Sequence, residues 1–347
     1  MARLKIAVYA IAKDEQKFAR RFMDGCSGAD IIVVGVDPGD TTGDILADFG
    51  AKVVRVSLPK FRFDHYRNEV LKHVPEDIDV CVSLDLDEVP QKGWREEIEK
   101  AWVKGTTRLH YKLQWSEDSV FEYDRIHARH GYIWRHANHE GVYAIRPEFE
   151  KSVNCDLKIY HYPDNEKDRS KNIELLEMAV EEEPESQRMR WYLAREYLYL
   201  EKYRKCIFQV CRYLDVENGW QPERSWACIF AAKSYYRLGH FWDSEAWFCA
   251  AINSCQDLRD PYFEFALMLY RRSLFQRAIM QLERALKIPM NIYMFHESTS
   301  AYNEWIYILK GQCHSDLGNK RTAVLCAKMA LRVNPDSADA AELLRSL

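Results

Sequence analysis

The sequence predicts an α/β domain followed by an all-α helical repeat, and three observations predict it. Up to about Tyr162, short apolar runs rich in Val and Ile alternate with amphipathic helical stretches. That β-α-β-α-β order argues for a mostly parallel sheet covered on both faces. From Lys171 onward, strand-like runs vanish and small residues recur at a long interval. The boundary implied is residue 165, giving domains 1–165 and 166–347.

Leu4–Ala12 is apolar and β-prone, the signature of a buried first strand. Asp14–Gly25 reads as a helix with basic residues on one side, and Asp30–Val36 as a second buried strand. The following segment, Asp37–Asp44 (DPGDTTGD), has the composition of a turn. A short helix through Ile45–Phe49 leads to a strand at Lys52–Val56, and a helix through Tyr66–His73 leads to a strand at Val80–Leu84. Beyond Gly105 the pattern is mixed, with strands expected at Arg108–Trp115, Gly131–Arg135 and Asp156–Tyr160.

In the second half, small residues stand at Ala194, Ala232, Ala266 and Gly311, at intervals of 38, 34 and 45. Twelve positions after each come Cys206, Ser244, Ala278 and Ala323, and seven further on Tyr213, Ala251, Ala285 and Ala330. A 34-residue unit with insertions of 4 and 11 has the tetratricopeptide period. Small residues belong where paired helices cross, and large ones such as Trp191, Phe248 and Leu282 fill the gaps. Tyr213 departs from the pattern. Pro335 closes the last unit, and Ser337–Leu347 is expected as a capping helix. The insertion Pro289–Ser300 is a candidate working loop, and Glu181–Glu185 a solvated helix end.

The 347 residues carry 49 Lys and Arg against 53 Asp and Glu, a formal charge of −4. Up to Asn165 the balance is 24 against 28, and beyond it 25 against 25, so neither half has the basic excess of a dedicated nucleic-acid binder. Eight of eleven histidines lie at or before His161, which places proton and metal chemistry in the first domain. Ten cysteines form no C-x-x-C pair and no Cys/His knuckle. With no signal-peptide pattern at the start, free thiols in a reducing cytoplasm are expected. No apolar run reaches the ~20 residues of a membrane span.

The chemistry concentrates at Asp85-Leu86-Asp87-Glu88, directly behind the Val80–Leu84 run. Ligands of open α/β sheets bind at the carboxyl ends of strands. Asp85 and Asp87 flank Leu86, so an extended backbone turns both to one side. Gathered carboxylates repel unless a cation sits among them, and oxygen donors suit Mg²⁺ or Mn²⁺. His161, at a late strand end, is a further candidate ligand. A solvated acidic turn is the bland alternative.

Five segments, taken in order from Ile6 to His161, resemble the family 2 glycosyltransferases. They are Ala12-Lys13-Asp14-Glu15, the Asp37–Asp44 loop, Arg67-Asn68, Asp85-Leu86-Asp87-Glu88, and Trp134–Glu140 ending in His139-Glu140. The resemblance implies an α/β GT-A (Rossmann-like) nucleotide-sugar-binding domain followed by an all-α tetratricopeptide-repeat solenoid. It implies a metal-dependent inverting glycosyltransferase that moves a sugar from a nucleoside-diphosphate donor, UDP above all, to an acceptor hydroxyl on a protein, peptide, glycan or other polymer. Asp87, Asp85 and His161 would then hold Mn²⁺ or Mg²⁺ against the diphosphate. Asp37, Lys13, Glu15, Arg67 and Asp85 would hold the nucleotide, and Glu140 would act as base with His139 orienting it. Glu88 competes for that role, Asp64 and His65 are pocket candidates, and Trp134 and Trp115 are sugar platforms or core. The repeats would hold a protein acceptor or mediate assembly, while a nucleic-acid acceptor fits poorly with the acidic first half. Two alternatives stay open: a non-catalytic tetratricopeptide scaffold with a degenerate transferase domain, and a nucleotidyltransferase.

Overall fold

The computed structural model describes residues 3–116, 119–163, 172–216, 219–289 and 299–347. The chain divides into two compact units, Met1–Ala179 and Val180–Leu347. The boundary expected at residue 165 and most of the expected working loop, 290–298, lie outside the described residues.

The first unit is built on β1 (Ile6–Ala12), α1 (Gln16–Gly25), β2 (Ile31–Val36), α2 (Thr42–Asp48), β3 (Lys52–Arg55), α3 (Phe63–Lys72) and β4 (Val80–Ser83). Then follow β5 (Glu88–Pro90), α4 (Trp94–Ala101), β6 (Arg108–Ser116), β7 (Ser119–Ala128), β8 (Tyr132–Arg135), β9 (Gly141–Ala144) and β10 (Ser152–His161). Eight strands form one sheet in the order β3-β2-β1-β4-β7-β6-β10-β5, and β8 and β9 form a separate hairpin. Strands β1 to β4 are mutually parallel, as continuous apolar runs require. The sheet as a whole is mixed: β7 runs antiparallel to β4 and β6, and β5 antiparallel to β10.

Both faces of the parallel part are covered. Ile6, Val8, Ala10 and Ala12 of β1 enter one core with Phe18 and Phe22 of α1 and Leu46 of α2. The alternate residues Ala7, Tyr9 and Ile11 enter a second core with Val70 and Leu71 of α3 and Trp134 of β8. Gly35 sets how closely α3 approaches β2, since a Cβ there would stand 2.2 Å from Val70 Cγ2. One turn before Val70, Arg67 is thereby pressed under the carboxyl end of β4.

The second unit is all helical and tetratricopeptide-like: α6 (Gln187–Tyr199), α7 (Tyr203–Leu214), α8 (Gln221–Arg237), α9 (Phe241–Ser254), α10 (Asp260–Arg271), α11 (Phe275–Lys287), α12 (Trp305–Asp316), α13 (Lys320–Val333) and α14 (Ala338–Ser346). A further helix, α5 (Asn172–Glu182), spans the division between the units. Helices pack as hairpins α6–α7, α8–α9, α10–α11 and α12–α13, and the first helices of successive hairpins touch one another. All twelve positions of the small-residue series are buried, Tyr213 included. At Gly311 a Cβ would meet Leu343 Cδ2 at 2.8 Å and Cys326 Cβ at 3.2 Å, so α12 owes its close packing to the missing side chain.

The first helix of every hairpin ends in the same cap. Glu201, Gly239, Ser273 and Gly318 adopt left-handed φ of 56°, 81°, 58° and 77°. The following amide returns to the carbonyl five residues back: Lys202 to Tyr197, His240 to Tyr235, Leu274 to Leu269 and Asn319 to His314. This is the Schellman arrangement, which satisfies carbonyls that a helix end leaves bare. Two of the four positions lack the glycine that normally marks it.

All ten cysteines are unpaired thiols. Among the described residues, no helix is long and apolar enough to cross a membrane.

Candidate functional site

Strand β4 ends at Ser83, and the chain then turns through Asp85 and Asp87 before β5 begins at Glu88. The two aspartates do not share a ligand position. The Asp85 carboxylate lies between two guanidiniums: Arg67 Nη2 donates to Oδ1, and Arg125 Nη1 of β7 donates to Oδ2 at 3.0 Å. Burial alone would raise the Asp85 pKa, but these two cations overcome it and hold it well below the usual carboxylate range. Asp87 Oδ2 instead pairs with His161 Nε2 at 3.4 Å. Burial alone would lower the His161 pKa; the hydrogen bond and charge of Asp87, with the Trp115 carbonyl and the Glu88 charge, together outweigh it and raise it. The imidazole also stacks on Trp115, with centroids 3.9 Å apart and planes at 15°.

Arg67 is the centre of this cluster and is 2% exposed. Its Nε donates to Glu140 Oε1 at 2.7 Å and its Nη1 to Ser83 Oγ at 3.1 Å, while Trp134 lies 4.7 Å from the guanidinium. Glu140, expected as a free base, is thus the buried counter-charge of an arginine. Glu88, also 2% exposed, accepts the Asp85 backbone N–H at 3.0 Å. Burial and the neighbouring Asp85 charge push the Glu88 carboxyl up to about 7. The Tyr111 hydroxyl is buried and has no hydrogen-bond partner among the described residues.

The remaining expected residues fall into separate groups. Lys13 Nζ pairs with Asp37 at 2.9 Å, and Tyr66 OH donates to the same carboxylate. Asp40 ties this corner by accepting the backbone N–H groups of Asp14 and Thr42 at 2.9 and 2.8 Å. Glu15 is buried, with its N–H on Thr42 Oγ1 at 3.0 Å. His139 has a left-handed φ of 51°, and its backbone N–H donates to Asn138 Oδ1. Asp64 is held by a two-point contact from Arg62, and His65 N–H donates to it at 2.8 Å. Asn68 exchanges two 2.9 Å hydrogen bonds with the Trp134 backbone, so it fastens α3 to β8. Trp134 is core, and its Nε1 donates to Tyr9 OH at 2.7 Å.

The donor set does not fit the expected Mn²⁺ or Mg²⁺. Both Asp85 oxygens are engaged by guanidiniums and Asp87 faces an imidazole. Among the described residues, no group of three or more His, Cys, Asp or Glu side chains is placed to hold a metal. The Asp85 charge that a cation would have neutralised is neutralised by Arg67 and Arg125. Arg125 is what the sequence reading missed. A lone arginine in the Tyr123-Arg125-His127 alternation of β7 is the signal that marks it.

The second unit holds a cavity of about 350 Å³ between α10, α12 and α14. Tyr270, Gln312, Asp316, Asp339, Glu342 and Ser346 contribute to its lining. Burial and the hydrogen bond to Asp316 push the Tyr270 phenol up to about 12. The cavity carries three carboxylates and no lining cation.

No family model matches the chain, and no curated protein matches it. Among solved structures it is similar to yeast Tom70, with 17% identity and a TM-score of 0.42 over 52% of this chain and 36% of that one. It is also similar to YrrB, a tetratricopeptide protein with an unusual peptide-binding site, with 12% identity and a TM-score of 0.37 over 50% and 82% of the two chains. A third is TTC0263, a thermophilic tetratricopeptide protein of Thermus thermophilus, with 16% identity and a TM-score of 0.39 over 50% and 87%. The chain therefore spans about a third of Tom70. The resemblance to family 2 glycosyltransferases is corrected by the first of these findings: no model of that family matches the chain. With it go the assignments of transferase activity, a UDP-sugar donor and a manganese centre.

Proposed function

We propose that the chain is a tetratricopeptide-type scaffold whose helical unit holds a segment of a partner protein, with a basic side chain of that segment in the cavity between α10, α12 and α14. The observation that carries this reading is the composition of the cavity: three carboxylates, a phenol and an amide around a space of side-chain size. A lysine or arginine entering it gains charge-assisted hydrogen bonds, and Asp339 and Glu342 keep it wet enough to avoid a heavy desolvation cost. The first helices α8, α10 and α12 line up beside one another, which offers an extended chain a continuous track leading to that cavity. In the sheet unit the carboxylates are consumed by internal pairs, which supports a structural part for the Arg67 cluster.

The test is selection of a random displayed-peptide library on the full chain, followed by calorimetry with the enriched peptide. Enrichment of a sequence with a fixed Lys or Arg is expected, and Asp339→Asn with Glu342→Gln should weaken it by about tenfold or more, given roughly 1.5–3 kcal/mol for a hydrogen bond to a charged group. Enrichment of no sequence, or binding indifferent to that double substitution, overturns the reading.

A further inference from the structure

The turns inside the helical hairpins form a second surface, of opposite sign. Residues 199–205, 237–245 and 271–277 contain seven Lys or Arg against three carboxylates, in a chain whose formal charge is −4. The three turns are contiguous. Arg237 pairs with Glu201 at 3.8 Å across the first gap. Across the second, Arg272 lies 4.4 Å from the Phe241 ring centroid and donates to Glu245 at 2.9 Å. Two of the three carboxylates are spent in these links, which leaves a cationic excess at the rim. Arg204 and Arg271 are exposed there and form no ion pair among the described residues.

Large apolar side chains project from the same rim. Trp242 is 85% exposed, Tyr199 60% and Leu200 47%. Folding does not bury them, and they lie in or beside the same turns as the cations. We infer that this rim docks on a membrane surface carrying anionic headgroups, with Trp242, Tyr199 and Leu200 entering the interfacial layer. Tryptophan and tyrosine favour the headgroup level, and each Lys or Arg near an anionic leaflet adds to the attraction. An aliphatic tip such as Leu200 gains from the acyl boundary but offers nothing to a phosphate or a base, which sets a bilayer above a nucleic acid. The 271–277 turn borders the acidic cavity, since Tyr270 lines that cavity and its ring centroid lies 5.5 Å from that of Phe275. The inference concerns the exposed cations and apolar side chains of all three turns, goes beyond the proposed partner site and stands without it.

The experiment is co-sedimentation of the full chain with phosphatidylcholine vesicles, with and without phosphatidylserine, alongside tryptophan emission. Binding to the anionic vesicles alone is expected, weakening as salt screens the charges. Arg204→Glu with Arg271→Glu should lower the apparent affinity at least about tenfold, since two positive charges are replaced by two negative ones. Trp242→Ala should remove the blue shift of emission and weaken binding, with circular dichroism confirming that both variants remain helical. Equal binding to neutral vesicles, no binding, or vesicle binding without a Trp242-dependent blue shift overturns the inference. So does single-stranded DNA that binds as tightly as the anionic vesicles.

Discussion

Replacing Arg67 by Met tests whether the cluster under β4 is a structural keystone. The guanidinium holds two carboxylates of unequal exposure: Asp85 has 37% of its side chain accessible, Glu140 only 7%. Without Arg67, Asp85 keeps its contact with Arg125 and can take up water. Glu140 can do neither, and its buried charge is left without the 2.7 Å donor. Breaking a buried pair by removing one partner costs ~3–5 kcal/mol. Since Asp85 is relieved by solvent, the lower end applies, about 3 kcal/mol. For a unit of this size that lowers the midpoint of thermal unfolding by roughly 6–12 °C. Calorimetry on the full chain reads it as a shift of one transition, that of the sheet unit, with the helical transition in place. Arg67→Lys should recover part of the loss, because an ammonium keeps the charge but not the three-way fork to Glu140, Ser83 and Asp85. Glu140→Gln added to Arg67→Met should be less damaging than Arg67→Met alone, since the orphaned charge is gone. A loss under ~1 kcal/mol for Arg67→Met, the worth of an exposed pair, would refute the reasoning.

Three further outcomes follow from the same geometry. The Glu88 carboxyl is raised from 4.5 to about 7, so the folded state holds its proton more tightly than the unfolded chain. Its stabilisation is full below pH 4.5 and is lost as pH rises toward 7, by roughly 3 kcal/mol at most. His161, also raised, adds a loss in the same direction above pH 6.5. Thermal midpoints measured across that range should fall for the native chain, and Glu88→Gln should flatten the part below pH 7; a rising curve contradicts the burial argument. At the helix caps, Ser273→Gly should stabilise by about 0.5–1 kcal/mol and Gly239→Ala destabilise by ~1 kcal/mol or more, because both positions are left-handed. Urea midpoints that stay put or move the other way would show that the caps do not carry the turns. Finally, Mn²⁺ should leave the midpoint unchanged, as its expected donors are engaged elsewhere; a rise that disappears in Asp87→Ala would show that the metal displaces His161.

The helical unit was legible in the sequence because its packing is local and periodic. One interval series, 38, 34 and 45, places Ala194, Ala232, Ala266 and Gly311 at buried crossings, and the caps seven residues later repeat it. What composition concealed was the cap at Glu201 and Ser273, where no glycine announces the left-handed residue. The parallel strands were legible for a similar reason, since burial on both faces leaves an unbroken apolar run. Strand β7 was not, because its antiparallel register mixes exposed and buried positions in SVFEYDRIHA. That gap decided the reading of the site. The carboxylates at Asp85, Asp87 and Glu88 are adjacent in sequence and demand a counter-charge, and the sequence motif supplies none. The compensating guanidiniums stand 18 and 40 residues away, on α3 and on the unrecognised β7. Local sequence can therefore reveal that negative charge is gathered at a strand end, but whether a metal or an arginine answers it is fixed only when distant elements pack.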